Sequence, residues 1–327
     1  MPDLLSAATP GDVLIVGAGP MAQAHAAVLA ALGRPFRVAG RGAASAAVFA
    51  AAVGVTPGIG PLADQLAALP APPRIAIIAT SAALLPEATR ALLGAGARRL
   101  LIEKPAALDP VGAAALAADV RVVGAEAFVA YNRRFFAATQ AARAMIAEDG
   151  GALSVKFDFT EATQRIEALD KDPADLAGWF YGNSTHVVDL AFHLAGAPKR
   201  LCGARKGGLV WHPAGAVFTG WGETENGALV SWHANWLAPG RWGVEVMTAR
   251  RRLVLQPMEQ LFVQEQGSFA LTQAALDDAL DRRFKPGLHA QLAAFLADGA
   301  DPRLLTLADH AERFAAYAAI RDGLNHS

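Results

Sequence analysis

The sequence predicts an α/β protein of two domains: a doubly wound parallel sheet, then an α/β domain with a large, open, mainly antiparallel sheet. In the first third, short apolar runs alternate strictly with alanine-rich helical stretches, which is the pattern of βαβ units. Beyond residue 131, longer segments alternate apolar and polar residues, as in a sheet with one buried face. The length of 327 residues also favours about two domains.

The elements of the N-terminal domain follow from continuous Val, Ile and Leu runs between turn residues, which suit strands covered on both faces. The predicted strands are 12–16, 36–39, 74–79 and 99–102. The alanine-rich segments between and after them predict helices at 21–32, 43–53, 62–69, 84–93 and 110–118. The run 121–129 completes this domain.

The second half has a different pattern, so we place a boundary between residues 125 and 132, with domains at 1–126 and 127–327. Alternation of apolar and polar residues predicts strands at 153–160, 228–236, 243–248, 252–255 and 261–265. Amphipathic or alanine-rich segments predict helices at 136–148, 288–296 and 307–320.

The composition indicates a globular protein that binds small molecules. Hydrophobic residues make up 53% and charged residues 18%, and no apolar run approaches the ~18 residues of a membrane span. The net charge of −1 gives no basic surface for nucleic acid or an anionic membrane. The one cysteine, Cys202, excludes an intrachain disulfide. Since residues 1–11 also lack the features of a secretory signal, we expect a cytoplasmic protein.

A glycine-rich turn opens the first βαβ unit. Gly17 and Gly19 follow the first strand, and Ala22 completes a G-x-G-x-x-A pattern at the start of a helix. The first glycine permits a tight turn, and the second lets the backbone approach a pyrophosphate at the helix N-terminus. In this position the pattern predicts a dinucleotide-binding Rossmann domain, rather than an ordinary turn between a strand and a helix. The predicted cofactor contacts in this region are Gly17, Gly19, Pro20, Met21 and Thr80.

The residues after the second strand indicate which dinucleotide binds. An NAD site commonly has an acidic residue about 20 positions beyond the glycine turn, where it binds the ribose hydroxyls. This sequence instead has Arg41 and Ser45 in that region. A guanidinium pairs well with the 2′-phosphate of NADP, and a hydroxyl would add a hydrogen bond. We therefore expect NADP, and NAD is the alternative if Arg41 is only a solvated turn residue.

A Glu103-Lys104-Pro105 turn follows the strand at 99–102. Ligands of open α/β sheets bind outside the carboxyl ends of the strands, so Lys104 would project toward the cofactor. Lysine is scarce in this sequence, which has only six. A compact, titratable ammonium at this point therefore favours a chemical role.

These motifs together resemble a known family. Gly17-Ala18-Gly19, Glu103-Lys104-Pro105, the Tyr-Asn-Arg-Arg-Phe segment at 131–135, and His186 three residues before Asp189 occur in the order seen in the Gfo/Idh/MocA oxidoreductases. The resemblance covers nearly the whole chain. It implies a Rossmann domain followed by an α/β domain whose sheet carries the substrate site and often an oligomer interface, so we expect a homo-oligomer.

The resemblance also implies roles for particular residues. Lys104 would lie near the nicotinamide and the substrate hydroxyl, Glu103 would belong to the cofactor site, and the Lys104–Pro105 peptide bond is similar to one that is often cis. The family usually has an aspartate four residues before the histidine, where this chain has Gly182. Asn183 or Ser184 would compensate by hydrogen bonding.

The segment around His186 supplies the other candidate catalytic group. If the chain is helical from residue 185, His186 and Asp189 share a face with His193, one turn further on. Hydride transfer at a carbinol carbon requires removal of the hydroxyl proton. An imidazole has a suitable pKa for this, so His186 is the candidate acid or base, with Lys104 polarising the oxygen. The alternatives are a buried structural histidine or, less in keeping with the spacing, a metal ligand, and we expect no metal.

Several further side chains are candidates for substrate contacts. Tyr131 and Asn132 would line the crevice near the nicotinamide, and Asn183 and Asp189 would contact the substrate. Arg165 is a candidate partner for an anionic substituent, and a surface ion pair is the alternative. Tryptophans also cluster in the second half, where we expect them in the core or an interface. They are Trp211, Trp221, Trp232, Trp236 and Trp242.

The sequence therefore predicts an NAD(P)-dependent oxidoreductase that transfers a hydride to or from a sugar, nucleotide sugar or similar polyol. The resemblance of the Asn183-Ser184-x-His186 segment suggests surface-glycan sugar metabolism. Two alternatives remain open, namely an NADPH-dependent imine reductase and a non-catalytic regulator that senses NADP.

Overall fold

The computed structural model describes residues 13–326, so Asp12, the first residue of the predicted first strand, lies outside them. The described residues form two compact units, 13–130 with 283–311 and 131–282 with 312–326. The chain thus leaves the first unit after Ala130 and later returns to it, a return that a division into 1–126 and 127–327 does not include.

The first unit contains a six-stranded sheet. Its strands are β1 Val13–Val16, β2 Phe36–Ala39, β3 Ile75–Ile78, β4 Arg99–Ile102, β5 Glu126–Val129 and β14 Leu305–Thr306. The order is β14-β5-β4-β3-β1-β2, with every pair parallel except β14 and β5. All of β1 and the last three residues of β3, β4 and β5 are buried, as their apolar runs predicted. The direction of winding changes between β1 and β3, which is where open α/β sheets bind ligands.

Helices join these strands. They are α1 Pro20–Ala31, α2 Ala43–Val53, α3 Leu62–Ala67, α4 Leu85–Gly94, α5 Pro110–Val122 and α11 Leu288–Leu296. A 3₁₀ turn at Ala82–Leu84 precedes α4. Helix α5 is longer than predicted, because the chain stays helical to Val122 and turns at Gly124, which has a φ of +62°.

The second unit contains an eight-stranded sheet. Its strands are β6 Ser154–Asp158, β7 Pro198–Lys206, β8 Val217–Thr224, β9 Leu229–Asn235, β10 Gly243–Met247, β11 Arg251–Leu255, β12 Phe262–Glu265 and β13 Thr272–Gln273. The order is β13-β12-β11-β10-β6-β9-β8-β7, and neighbours are antiparallel except for β6 and β9. The mainly antiparallel sheet confirms the predicted fold class, whereas β7 and β8 were not predicted.

The remaining helices are α6 Ala137–Glu148, α7 Thr163–Glu167, α8 Pro173–Ala177, α9 Thr185–Ala195, α10 Ala279–Arg283 and α12 Leu307–Asp322. Helix α9 packs on β6 and β10, and nearly all its side chains are buried. Trp232 and Trp236 lie in the core beside Phe157 and Phe218, as predicted, whereas Trp221 is 51% exposed. Within residues 13–326, no helix combines the length and hydrophobicity of a membrane span.

Candidate functional site

The turn after β1 accepts only glycine at its first position. Gly17 has a φ of +115°, and a Cβ there would lie 2.3 Å from the carbonyl oxygen of Ala79. That carbonyl cannot move away easily, because the Ala79 N–H donates to Val16 at 2.8 Å and the Gly17 N–H donates to Ala39 at 2.8 Å. Gly17 therefore lets β1, β2 and β3 meet closely at the carboxyl edge of the sheet.

Gly19 meets a different requirement. A Cβ at Gly19 would have no atom within 4 Å, so the backbone faces open space. Helix α1 begins at Pro20 with no side chain capping its N-terminus, and Ala22 packs inside the unit. Free N–H groups beside an open glycine fit a pyrophosphate, so these residues fit the predicted dinucleotide. Thr80 follows β3 at the same edge, beside Gly17.

The loop after β2 presents an unpaired cation. The Arg41 side chain is exposed and makes no hydrogen bond or ion pair with any residue from 13 to 326. The amide nitrogen of Gln65 holds the loop by donating to the Gly40 carbonyl at 2.7 Å and the Gly60 carbonyl at 2.9 Å. The Ser45 hydroxyl donates to the Gly42 carbonyl at 3.1 Å. The guanidinium of Arg41 is thus available to a ligand from a fixed loop.

The Lys104 turn is held from two sides by histidines of the same unit. The Lys104–Pro105 bond is cis, as the resemblance implied, and the Ala106 N–H donates to Glu103 at 3.0 Å. On one side, His25 Nε2 donates to the buried Glu103 carboxylate at 2.9 Å. On the other, His310 Nε2 donates to the Pro105 carbonyl at 2.9 Å.

The structure therefore turns the Glu103 side chain toward α1 in the interior of the unit. Sequence reasoning assigned Glu103 to the cofactor site and missed both His25 and His310. These two histidines lie 78 and 205 residues from their partners, so no local sequence pattern connects them.

His186 lies in the first turn of α9, which confirms the helix predicted from residue 185. The side chain is buried, and its ring meets the Tyr131 ring edge to face, with centroids 5.7 Å apart. The Trp242 ring lies 6.4 Å away on another side. Tyr131 is only 1% exposed, so it positions the imidazole by packing and has almost no surface for a substrate.

Asp189, predicted to contact the substrate, is held inside the unit. Arg134 donates to both carboxylate oxygens, at 2.7 and 2.6 Å, and the Tyr317 hydroxyl donates at 3.1 Å. Burial raises the pKa of Asp189, but the paired guanidinium outweighs burial and holds that pKa below its ordinary value. With 1% of its surface exposed, Asp189 anchors α9 to the segment at 131–135.

His193, on the same helix face, is neutral under ordinary conditions. Burial first, and then the nearby Arg134, lower its pKa to about 3. A buried, neutral imidazole of this kind fits a structural role. Among residues 13–326, no three His, Cys, Asp or Glu side chains are grouped to hold a metal ion.

A buried carboxyl that was not among the predicted site residues lies next to the predicted polar pair. The Ser184 hydroxyl donates to Glu161 at 2.7 Å, and the Asn183 amide donates at 3.2 Å. Burial raises the pKa of Glu161 above its ordinary value, although the hydrogen bonds from Ser184 and Asn183 partly offset the effect.

Gly182, next to Asn183 in the chain, has no side chain. A Cβ at Gly182 would meet no atom within 4 Å. Asn183 and Ser184, predicted to compensate for the missing aspartate, thus orient a carboxyl that comes from another part of the chain. The side chain of Arg165, on α7, is exposed and forms neither an ion pair nor a hydrogen bond with the described residues.

Comparison with known proteins places these sites in context. A model of the Gfo/Idh/MocA oxidoreductase family, with an NAD-binding Rossmann fold, matches residues 12–131. No curated protein sequence matches this one significantly. UDP-N-acetylglucosamine 3-dehydrogenase GnnA from Acidithiobacillus ferrooxidans is 20% identical, with 96% of this chain and 97% of that chain covered and a TM-score of 0.75.

Two further solved structures are similar over a comparable length. Levoglucosan dehydrogenase in complex with NADH is 19% identical, with 95% of this chain and 96% of that one covered and a TM-score of 0.78. An oxidoreductase from Agrobacterium radiobacter, in complex with NAD+, L-tartaric acid and magnesium, is 16% identical, with 96% of each chain covered and a TM-score of 0.77. At these identities the likeness shows a shared fold, which is the predicted one.

Proposed function

We propose that this chain is an oxidoreductase of the Gfo/Idh/MocA type, as the match of the family model to residues 12–131 supports, and that it transfers a hydride between NADP and a CH–OH carbon of a polyhydroxylated substrate. The observation that carries the proposal is the placement of Lys104. Its turn follows β4 at the same sheet edge as the glycine turn after β1, because all these strands are parallel. An ammonium there suits a reaction beside a bound nicotinamide.

In the proposed mechanism, the cofactor, Lys104 and His186 each have a separate role. The cofactor supplies or accepts the hydride when bound. Lys104 donates a hydrogen bond to the reacting oxygen of the substrate and stabilises the charge that develops on it. His186 takes the hydroxyl proton during oxidation and returns it during reduction. Tyr131 and Asp189 position His186 and its helix, whereas Asn132 and Asn183 contact substrate hydroxyls.

The preference for NADP rests on Arg41. Its guanidinium has no partner among the described residues, and no acidic residue follows β2 to bind a ribose hydroxyl. A bidentate pair with a 2′-phosphate would satisfy it. Two of the solved structures above hold NAD+ or NADH, so NAD is the competing cofactor.

The substrate class rests on the names of the similar structures and on the polar groups near His186. One similar structure is a nucleotide-sugar dehydrogenase and another is a dehydrogenase of the sugar derivative levoglucosan. Asn183, Ser184 and Glu161 together offer donors and acceptors of the kind that bind hydroxyl groups. A role in surface-glycan sugar metabolism extends this proposal.

The proposal includes a cytoplasmic homo-oligomer that uses the sheet of the second unit. Trp221 on β8 and Leu229 on β9 are exposed and lie on one face of that sheet. An exposed apolar patch of this kind suits a second copy of the chain. Light scattering at several concentrations tests this part, and a monomer at all of them would overturn it.

The cofactor experiment is a fluorescence titration with NADPH and NADH. We expect tighter binding of NADPH, and Arg41→Ala should weaken NADPH by about 10- to 100-fold with little effect on NADH. Arg121→Ala, which removes an exposed arginine from α5, is the control. Equal affinities for the two nucleotides in the wild type would overturn the NADP preference.

The chemical experiment is a turnover screen of sugars and nucleotide sugars with Lys104→Met and His186→Gln. Each variant should bind NADPH normally and lose about 10²- to 10⁴-fold in kcat. Full turnover in Lys104→Met would exclude the mechanism. NADPH binding with turnover of cyclic imines alone would favour imine reduction, and NADPH binding without turnover of any substrate would favour a regulator.

A further inference from the structure

Two adjacent arginines of the second unit have opposite surroundings. Arg134 is buried and forms a two-point ion pair with Asp189. The Arg133 guanidinium donates no hydrogen bond and forms no ion pair with any residue between 13 and 326, and its Nε is buried without an acceptor. Arg133 also keeps some solvent-exposed surface, which Arg134 does not. A largely buried cation without a counter-ion is costly to a fold, which suggests that a ligand supplies the missing charge.

Aromatic rings hold this guanidinium in place. Arg133 lies 5.0 Å from the centre of the Trp242 ring and 5.9 Å from that of Phe136. These contacts fix the orientation of the guanidinium while leaving its hydrogen-bond donors unused, since an aromatic face takes charge but accepts no strong hydrogen bond. Burial lowers the pKa of Arg133 to about 10, so the group stays cationic at neutral pH.

Trp242 separates this cation from a carboxyl. Arg133 lies over its face, its indole N–H is near enough to Glu161 to lower the pKa of that carboxyl, and its ring also lies beside His186. Glu161 and Glu259 are near enough to act on Arg133 electrostatically, but neither is within ion-pair distance of it. A cation, a carboxyl and the candidate acid or base therefore surround one indole without neutralising one another.

We propose that Arg133 binds an oxyanion of the substrate, a carboxylate or a phosphate, while Glu161 accepts a hydrogen bond from one of the substrate hydroxyls. The inference rests on the proposed function, and it narrows the substrate to an anionic polyhydroxylated molecule. Such an oxyanion belongs either to a sugar acid or to the diphosphate of a sugar nucleotide. A planar guanidinium with free donors suits both, because it pairs with either group through two parallel hydrogen bonds.

The test compares an anionic ligand with a neutral counterpart in two pairs, and loss of the difference in Arg133→Met separates the effect of the anion from that of the uridine in UDP-glucose. Calorimetry on the NADPH-bound full chain measures D-gluconate against D-glucitol, and UDP-glucose against D-glucose. The variants are Arg133→Met, which removes the charge with little change of length, and Arg133→Lys, which keeps the charge without the two-point geometry. Arg282→Met is the matched control, since Arg282 is exposed in the same unit and pairs with Asp278.

We expect at least one anionic ligand to bind about 10- to 100-fold more tightly than its neutral counterpart, and Arg133→Met to abolish that difference. Arg133→Lys should retain a part of it, and Arg282→Met all of it. A preference confined to gluconate identifies a sugar acid, and one confined to UDP-glucose identifies the diphosphate. NADPH affinity and thermal unfolding of each variant show whether it is folded. If Arg133→Met does not fold, the ligand preferences of the wild type and Arg133→Lys show whether Arg133 binds the anion.

Other results would overturn the inference. It fails if Arg133→Met binds both anions as the wild type does, or if the variant loses NADPH affinity while keeping its ligand preference, because Arg133 would then serve the cofactor. Equal oxidation of gluconate or UDP-glucose by wild type and Arg133→Met would leave the oxidoreductase proposal standing without the anion site. Binding of an anion that depends on Arg133, without turnover of any sugar, would leave the anion site standing without the oxidoreductase.

Discussion

The glycines at positions 17 and 19 should respond in opposite ways to the same substitution. Gly17→Ala places a Cβ 2.3 Å from the oxygen and 2.8 Å from the carbon of the Ala79 carbonyl, at a φ of +115° that L-residues rarely adopt. The unfavourable backbone conformation alone costs about 1–2 kcal/mol. The contact adds to this cost, because the backbone of Ala79 is held by the pairing of β1 with β3.

The expected loss of unfolding free energy for Gly17→Ala is therefore about 3 kcal/mol or more. Gly19→Ala is the matched control, because its φ of −84° suits alanine and its Cβ would touch nothing. That variant should change stability by less than about 1 kcal/mol, yet it should weaken NADPH binding, since the methyl group would occupy the space open to the pyrophosphate.

Urea denaturation gives the free energies, and NADPH fluorescence gives the affinities. The reasoning would be refuted if Gly17→Ala were as stable as the wild type, because the close approach of the two strand ends would then not be real. It would be refuted for the second glycine if Gly19→Ala bound NADPH normally. The pair thus separates a glycine required for folding from one required for binding.

Three further predictions concern buried polar groups. Asp189→Asn leaves Arg134 without a counter-charge, so urea denaturation should show a loss of about 3–5 kcal/mol, and a loss below 1 kcal/mol would contradict the buried ion pair. His193 has a folded pKa of about 3 against an ordinary 6.5, so only the unfolded chain gains a proton as the pH falls between those values. Stability should therefore fall by about 1.4 kcal/mol per pH unit through this range, and His193→Gln should remove that component of the slope; equal slopes would exclude it. His25→Leu leaves the carboxyl of Glu103 buried without its hydrogen bond, which should cost about 1–3 kcal/mol in the same assay, whereas an unchanged midpoint would mean that the pair is not formed.

The sequence predicts the parallel sheet well because each strand there is decided by local residues. The bounds of β2 and β4 agree with prediction, since each is a short, mainly apolar run between turn residues. Strands β7 and β8 were not predicted, because their apolar and polar residues do not alternate regularly. In β8, Gly220 interrupts the pattern, and a Cβ there would lie 2.1 Å from the Trp232 ring. A glycine required by a neighbouring strand looks like a turn residue in the sequence.

The same distinction applies to the candidate site: residues in local motifs were predicted, and residues placed by tertiary contacts were not. Gly17 and Lys104 were predicted because each belongs to a short motif at the end of a strand. Glu161 was missed because strand β6 was extended to residue 160, whereas it ends at Asp158, whose carboxylate accepts the Thr160 N–H at 2.7 Å. Because the strand ends at this turn, Glu161 lies outside the sheet. The hydrogen bond between Glu161 and Ser184 joins residues 23 apart in the chain. Such contacts depend on tertiary packing, which residue patterns do not encode.

The return of the chain to the first unit affects how that unit folds during translation. Phe295 packs edge-on against Phe128, its carbonyl accepts a hydrogen bond from Arg99 at 2.7 Å, and β14 covers the outer side of β5. None of these contacts exists until the ribosome has made the whole segment at 131–282 as well. At about 5–20 residues per second, β5 remains an uncovered sheet edge for about 10 to 30 s. The cofactor-binding unit thus begins first and is completed almost last, and during that interval the unpaired edge of β5 is open to pairing with other chains.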